Sequence, residues 1–311
     1  MQTISVTRPV DTAWRHMTRM LFAPFDLTNW LVLGFTSWLA ALGEGGGGSF
    51  NFNFPSERGG GGGDAARAAM EKARDWLREW WPVVLGAGLA VLVILVAMNL
   101  VFLWLRSRGK FVFLDNIVHR RRLIAQPWQQ YRRSGNSLFV WSLAFGVVVT
   151  IVVLLLGGGL VGAVLMIRQA TSRAAGILLA VFVGLLLVAV LFAAGLVGFL
   201  LNRLVVPIMH RFECGATEGW RRLLAAMRGR VGSFMLFALL FFALSMGVGM
   251  VAALVTILTC CLCCLACVPL VNGYAVAVVF LPLIVFLQAY GVAFLSQIIP
   301  EVRLEGDAPP A

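Results

Sequence analysis

The chain has 311 residues, 60% of them hydrophobic and only 13% charged. Soluble domains carry roughly 25% charged residues, so these proportions exclude an ordinary water-soluble fold. The net charge of +11 arises from 25 Lys and Arg against 14 Asp and Glu. Because the basic residues sit between apolar runs, that excess points to the lipid bilayer and its anionic headgroups, not to nucleic acid.

The N-terminal tail carries Arg8, Arg15 and Arg19 around Trp14. A break is expected at Leu21–Phe25, with Asp26 as N-cap of a short helix starting near Leu27, because a carboxylate there accepts orphan backbone N–H groups. The apolar run Trp30–Leu42 is the weakest candidate span, since crossing about 30 Å of hydrocarbon takes roughly 20 apolar residues. A signal peptide is the rival reading. The basic stretch before the apolar run is long for one, and no tidy small-residue cleavage site follows.

Residues 43–80 form the one sizeable segment on the opposite side. Gly43, Gly45–Gly48 and Gly59–Gly63 read as linker, with the alternating Phe50, Phe52 and Phe54 between them as a short strand or a membrane-surface contact. Asp64 caps an expected helix through Trp80, with the apolar stripe Met70, Ala73, Leu77 and Trp80. Pro82 suits the first turn of the following span.

Four long runs without a charge then read as spans: Trp81–Leu105, Leu138–Ile167, Gly176–Leu201 and Phe234–Thr259. A fifth, Leu270–Ile299, holds Pro282 near its middle and is expected to kink there. With the first short span the total is six. Small-residue spacings such as Gly176-Ala180-Gly184 suit close helix packing.

Basic residues collect on the cytoplasmic side of short loops. The N-terminal tail, the loops 106–137 and 202–233 and the C-terminal tail hold three, eight, six and one Lys or Arg, eighteen in all. The opposite segments hold five, two and none, seven in all. Both termini and both large basic loops are therefore expected in the cytoplasm.

Those two loops resemble each other. Ile117-Val118-His119-Arg120 parallels Ile208-Met209-His210-Arg211, Trp128 parallels Trp220, and each segment leads into a span. The N-terminal tail reads as a degraded third copy, which predicts three units of an interfacial helix plus two spans. In this scheme Arg120, Arg121, Arg122, Arg132, Arg133, Arg221 and Arg222 contact lipid headgroups, and Trp14, Trp128 and Trp220 anchor at the interface. Trp220, Leu223, Leu224 and Met227 form an apolar stripe at helical spacing.

The search for chemistry yields little. Cys260, Cys261, Cys263, Cys264 and Cys267 cluster in apolar surroundings with no His, Asp or Glu nearby, where thiols behave as small hydrophobes. A disulfide and a metal are the lesser readings. His16, His119 and His210 fall one to each basic segment and would meet near one axis if the repeat holds, as metal triads do, although headgroup-facing histidines are commoner. No G-x-S-x-G, H-E-x-x-H or paired-carboxylate pattern occurs, so no enzyme, cofactor or metal is expected.

The stretch Leu21-Phe22-Ala23-Pro24-Phe25-Asp26-Leu27-Thr28-Asn29-Trp30, with Leu33-Gly34-Phe35, Trp38-Leu39-Ala40, Thr259-Cys260-Cys261, Leu281-Pro282-Leu283 and Phe286, resembles an uncharacterised bacterial family of six-pass membrane proteins. The arrangement is also similar to the membrane domain attached to some glycerophosphodiester phosphodiesterases. The resemblance implies a bacterial cytoplasmic membrane and carries no enzymatic residue over. The expectation is an all-α six-span bundle that acts as a non-enzymatic scaffold on anionic lipids, with a protein partner or a second copy. A carrier of a lipid-like or small molecule, with a polar cavity around Asn99 or Gln288, is the alternative.

Overall fold

The computed structural model describes residues 5, 7–23, 25–42, 63–120, 123–168, 173–259, 274 and 276–304. The Phe-rich segment 50–54, the cysteine cluster 260–267, Arg121 and Arg122 lie outside the described residues. Among the described residues every regular element is a helix. In chain order these are α1 (Arg8–Leu21), α2 (Leu27–Ala41), α3 (Gly63–His119), α4 (Ala125–Gln130), α5 (Arg132–Arg168) and α6 (Arg173–Leu200). A π-helical turn (Leu201–Val205), α7 (Val206–Phe212), α8 (Ala216–Met227), α9 (Val231–Thr259) and α10 (Leu281–Ser296) follow.

The break between α1 and α2 falls where the sequence places it. Asp26 Oδ1 accepts the Thr28 N–H at 2.9 Å and caps α2. The Trp30 indole donates to the Leu21 carbonyl at 3.1 Å, which satisfies a C-terminal carbonyl of α1. Phe22 and Phe25 each lie 5.7 Å from the Trp30 ring and close the corner.

Four helical stretches are long and apolar enough to cross a membrane: Trp80–His119, Arg132–Arg168, Arg173–Phe212 and Val231–Val251. The first three contain the corresponding apolar runs whole, and the fourth covers the run Phe234–Thr259 as far as Val251. Helix α2 has 15 residues and α10 has 16. At 1.5 Å per residue these reach only about 22–24 Å, short of the hydrocarbon thickness. Among the described residues there are therefore four candidate spans, not clearly six.

Several expectations change. The segments 106–137 and 202–233 are largely helical, and α3 continues unbroken through the start of the first to His119, while α7 and α8 fill most of the second. Pro82 sits inside α3 instead of opening a new helix. Strong helix formers before it (Ala, Glu, Lys, Arg) carry the helix through one missing N–H. Pro282 does the reverse. It occupies the first turn of α10, where its missing N–H is an orphan in any case, and helical residues 276–279 end at a turn on Phe280 just before it, so the apolar run is interrupted beside the proline.

The threefold repeat also finds no support. The supposed interfacial helices have 14, 6 and 12 residues. A π-helical turn precedes His210, whereas α3 reaches His119 without one. Short sequence matches around a histidine do not dictate helix length, which follows from packing.

The long apolar stretches are barely covered by protein. Their most hydrophobic windows are 0%, 6%, 6% and 17% buried, in chain order. Helices α5 and α6 pack antiparallel, with Gly176 against Ala163 and Ile167, and Gly159 against Val183. Between lipid-facing helices hydrocarbon supplies no hydrophobic drive, so such contacts rest on close packing of small residues. The buried core lies elsewhere, at the charged end. Phe111–Ile117 of α3, Leu204–His210, and most of α10 from Val285 to Leu295 are buried together with Ala13, Met17 and Leu21 of α1. That part packs like a soluble domain, at roughly 25 cal/mol per Å² of apolar surface removed from water.

Helix α7 ends on Glu213 in the left-handed region (φ 47°, ψ 32°). A residue with a Cβ pays about 1 kcal/mol there that glycine does not. The Glu213 carboxylate accepts an exposed bond from Gln130 Nε2 at 3.0 Å. Glu213→Gly is expected to stabilise the detergent-solubilised chain by up to about 1 kcal/mol. An unfolding midpoint that falls or stays put would contradict this account of the α7 terminus.

Candidate functional site

The basic segments meet at one end of the bundle. Ser5 N–H donates to Gln297 Oε1 at 3.0 Å, and Gln297 Nε2 donates back to the Ser5 carbonyl at 2.8 Å, so the two ends of the described chain are tied together. Helix α1 packs along α10. Lys110 Nζ donates to Asn202 Oδ1 at 2.6 Å, and Arg203 Nη1 to Gln288 Oε1 at 2.7 Å. The π-helical turn thus presents two successive polar residues to two different helices, a recurrent use of such turns. Arg108 donates through Nε and Nη2 to Asn136 Oδ1 and lies 4.4 Å over the Trp104 ring.

Within this end lies a buried polar cluster. Asp115 and His119 are four residues apart and share a face of α3. Asp115 is 4% exposed and His210, from α7, is 6% exposed. His210 Nε2 stands 3.1 Å from Asp115 Oδ1 and His119 Nδ1 stands 3.0 Å from the same oxygen. The Tyr131 hydroxyl donates to that oxygen at 3.2 Å. The Tyr131 ring is stacked between Phe111 (5.9 Å) and His210 (4.6 Å), which fixes the phenol and the imidazole together. A carboxylate with two imidazoles and a phenol can hold or pass a proton, or ligate a cation.

The three histidines do not converge. His119 and His210 do, with ring centroids 5.9 Å apart. His16 instead faces the Ile117 carbonyl with Nε2 at 2.9 Å, and Arg120 Nη2 reaches its Nδ1 at 3.3 Å. A guanidinium only donates, so Nδ1 accepts and Nε2 carries the proton. That arrangement ties α1 to the end of α3. The third corner of the polar cluster is Asp115, a lone acid in a basic segment. Its i, i+4 relation to His119 is legible in the sequence, and its approach to His210 is not.

The expected headgroup arginines divide. Arg120, Arg132 and Arg133 are exposed. Arg221 and Arg222 both pair with Glu218, at 2.6 and 2.9 Å, and Arg222 also lies over the Phe212 ring at 4.2 Å. Those two guanidinium groups hold the Glu218 carboxyl below its usual range. Of the anchors, Trp14 is 56% exposed, whereas Trp128 meets Trp104 edge-on at 6.0 Å and Trp220 stacks on Trp141 at 5.6 Å. The expected stripe of α8 is shifted. Ala216, Gly219 and Leu223 are buried, and Leu224 is exposed. Burial also pushes the thiol of Cys214, which precedes α8, above its usual range.

The sequence pattern of one family extends over residues 4–299. The chain belongs to a family of unknown function, DUF7544. Neither the curated proteins nor the solved structures contain a match. The family match spans α1 to α10, so the buried cluster and the arginine-bearing segments all lie within what defines the family. An uncharacterised family was the expected outcome. The likeness to the phosphodiesterase membrane domain gains nothing from the match.

The two polar residues singled out for a carrier have ordinary surroundings. Asn99 lines a shallow surface groove with Leu95, Val96, Leu100, Leu103 and Leu143. Gln288 is engaged by Arg203.

Proposed function

We propose that this protein is a non-enzymatic scaffold of the bacterial cytoplasmic membrane, with both termini in the cytoplasm and its basic end against anionic lipid headgroups. In this reading α2 and α10, lengthened by neighbouring residues, complete six passes. The phosphodiesterase likeness fits a membrane module without catalytic residues, and a protein partner or a second copy is what such a scaffold would hold. One observation carries the reading: the N-terminal segment, the end of α3, α7–α8 and the end of α10 gather at one end of the apolar helices, with Arg132 and Arg133 exposed there.

The test is purification in native membrane patches with mass spectrometry of the lipids that co-purify. Anionic phospholipid is expected to be enriched over the bulk membrane. Each basic residue near an anionic surface contributes on the order of 1 kcal/mol. Arg132→Ala with Arg133→Ala is therefore expected to weaken retention by about 2 kcal/mol, roughly thirtyfold in affinity. A lipid profile unchanged by the double substitution overturns the headgroup role. Labels on the two ends that report opposite compartments overturn the topology.

A further inference from the structure

We propose that Asp115, His119 and His210 form a binding site for one divalent transition-metal ion of the zinc type. The site would clip the end of α3 to α7, and it stands independently of the lipid reading.

The donor set comes first. Two imidazole nitrogens and one carboxylate oxygen suit borderline divalent ions such as Zn²⁺. The three donor atoms lie within 4.8 Å of one another. Ligands bound at about 2.0–2.2 Å to one ion sit roughly 3 Å or a little more apart. Asp115 Oδ1 already lies 3.0 Å from His119 Nδ1 and 3.1 Å from His210 Nε2. Little rearrangement separates this geometry from a coordinated one. Three protein ligands leave the fourth position of a tetrahedron for water.

The hydrogen bonding of the cluster points the same way. Three groups aim at one carboxylate oxygen, which offers two lone pairs. His119 Nδ1 is buried and, despite its distance, makes no aligned hydrogen bond to any described residue. An ordinary Asp–His pair does not require a second imidazole held at contact distance and out of line. A shared ion accounts for both imidazoles at once.

The surroundings are those of a built site. Asp115 and His210 are buried on two helices, so their donor atoms are fixed. Tyr131 orients the carboxylate through its hydroxyl and the His210 ring by stacking, the two tasks that outer partners perform around metals. The His119 side chain, 31% exposed, leaves a way in. His16 takes no part, since its two nitrogens are occupied by the Ile117 carbonyl and Arg120.

The test uses the full chain in detergent, stripped with chelator and with its thiols alkylated so that the cysteines cannot compete. Zn²⁺ is the probe, read by calorimetry and by metal analysis after desalting. One ion per chain is expected. His119→Gln, at the exposed corner where folding is least at risk, and His210→Gln should each lower affinity at least about tenfold, and Tyr131→Phe by about ten- to a hundredfold. His16→Gln should bind as the unaltered chain does. A thermal melt of each variant separates lost ligands from lost fold. Absence of stoichiometric Zn²⁺ overturns the proposal, as does uptake that survives both His119→Gln and His210→Gln in folded protein or disappears in folded His16→Gln.

Discussion

Asp115→Ala is expected to destabilise the chain by about 2–5 kcal/mol, because it removes a buried acceptor shared by several donors. The carboxylate is 4% exposed, and three groups from three elements turn toward its Oδ1: His119, His210 and Tyr131. Alanine removes the buried acceptor that the His210 N–H and the Tyr131 hydroxyl share. Each orphaned donor costs about 1–3 kcal/mol of desolvation. Tyr131→Phe removes one donor and keeps the ring stack, so its cost should be smaller, about 1.5–3 kcal/mol for a bond to a charged acceptor. Thermal unfolding of the detergent-solubilised variants gives the order. An Asp115→Ala effect under about 1 kcal/mol would show that the cluster is not what joins α3 to α7.

Gly109→Ala is expected to cost about 1–3 kcal/mol, although the same change in an open helix position gains up to about 1 kcal/mol in helix propensity. Helix α2 lies directly on α3 at this point. A Cβ on Gly109 would stand 2.8 Å from Leu39 Cγ, 2.9 Å from the Leu39 carbonyl carbon and 3.1 Å from the Ala40 nitrogen. The side-chain atom can swing away. The two backbone atoms move only if the whole of α2 shifts, and α2 is held at its other end by the Asp26 cap and the Trp30–Leu21 bond. Gly158 of α5 supplies the contrast, because nothing lies within 4 Å of its Cβ position. Gly158→Ala should be neutral or stabilising by up to about 1 kcal/mol. Opposite signs for the two substitutions would establish that the α2–α3 contact is made backbone to backbone. Equal signs would refute it.

Much of the helical layout was legible because its causes are local. The Asp26 cap needs only a carboxylate two residues before a free N–H, and that is written in Asp26-Leu27-Thr28. The four long helices follow from uninterrupted apolar runs, which exclude charge for as long as a bilayer is thick. Pro282 interrupts its apolar run as its missing N–H requires, with a turn at Phe280 between helical residues 276–279 and α10. The basic segments read as interfacial, and what their sequence does not show is how their charges are held. Lys110, Arg108 and Arg203 are held by the amide oxygens of Asn202, Asn136 and Gln288, from residues 28 to 92 positions away.

The candidate site was legible by half. His119 and His210 attract notice as histidines in matching contexts, and the structure brings these two together although the repeat on which their convergence depended finds no support. His16 had the same signal and a different fate. Asp115 had no signal beyond its helical spacing from His119, and Tyr131 reads only as an interfacial aromatic among arginines.

What the sequence determines by itself is the solvent of each segment: apolar runs without charge are stable against hydrocarbon, and arginine-rich segments are not. What only the tertiary structure decides is which polar residues are buried with one another. Asp115 meets His210 across 95 positions of chain because α3 and α7 pack end against end. No local rule encodes that approach, since it depends on the summed shapes of every helix at the charged end.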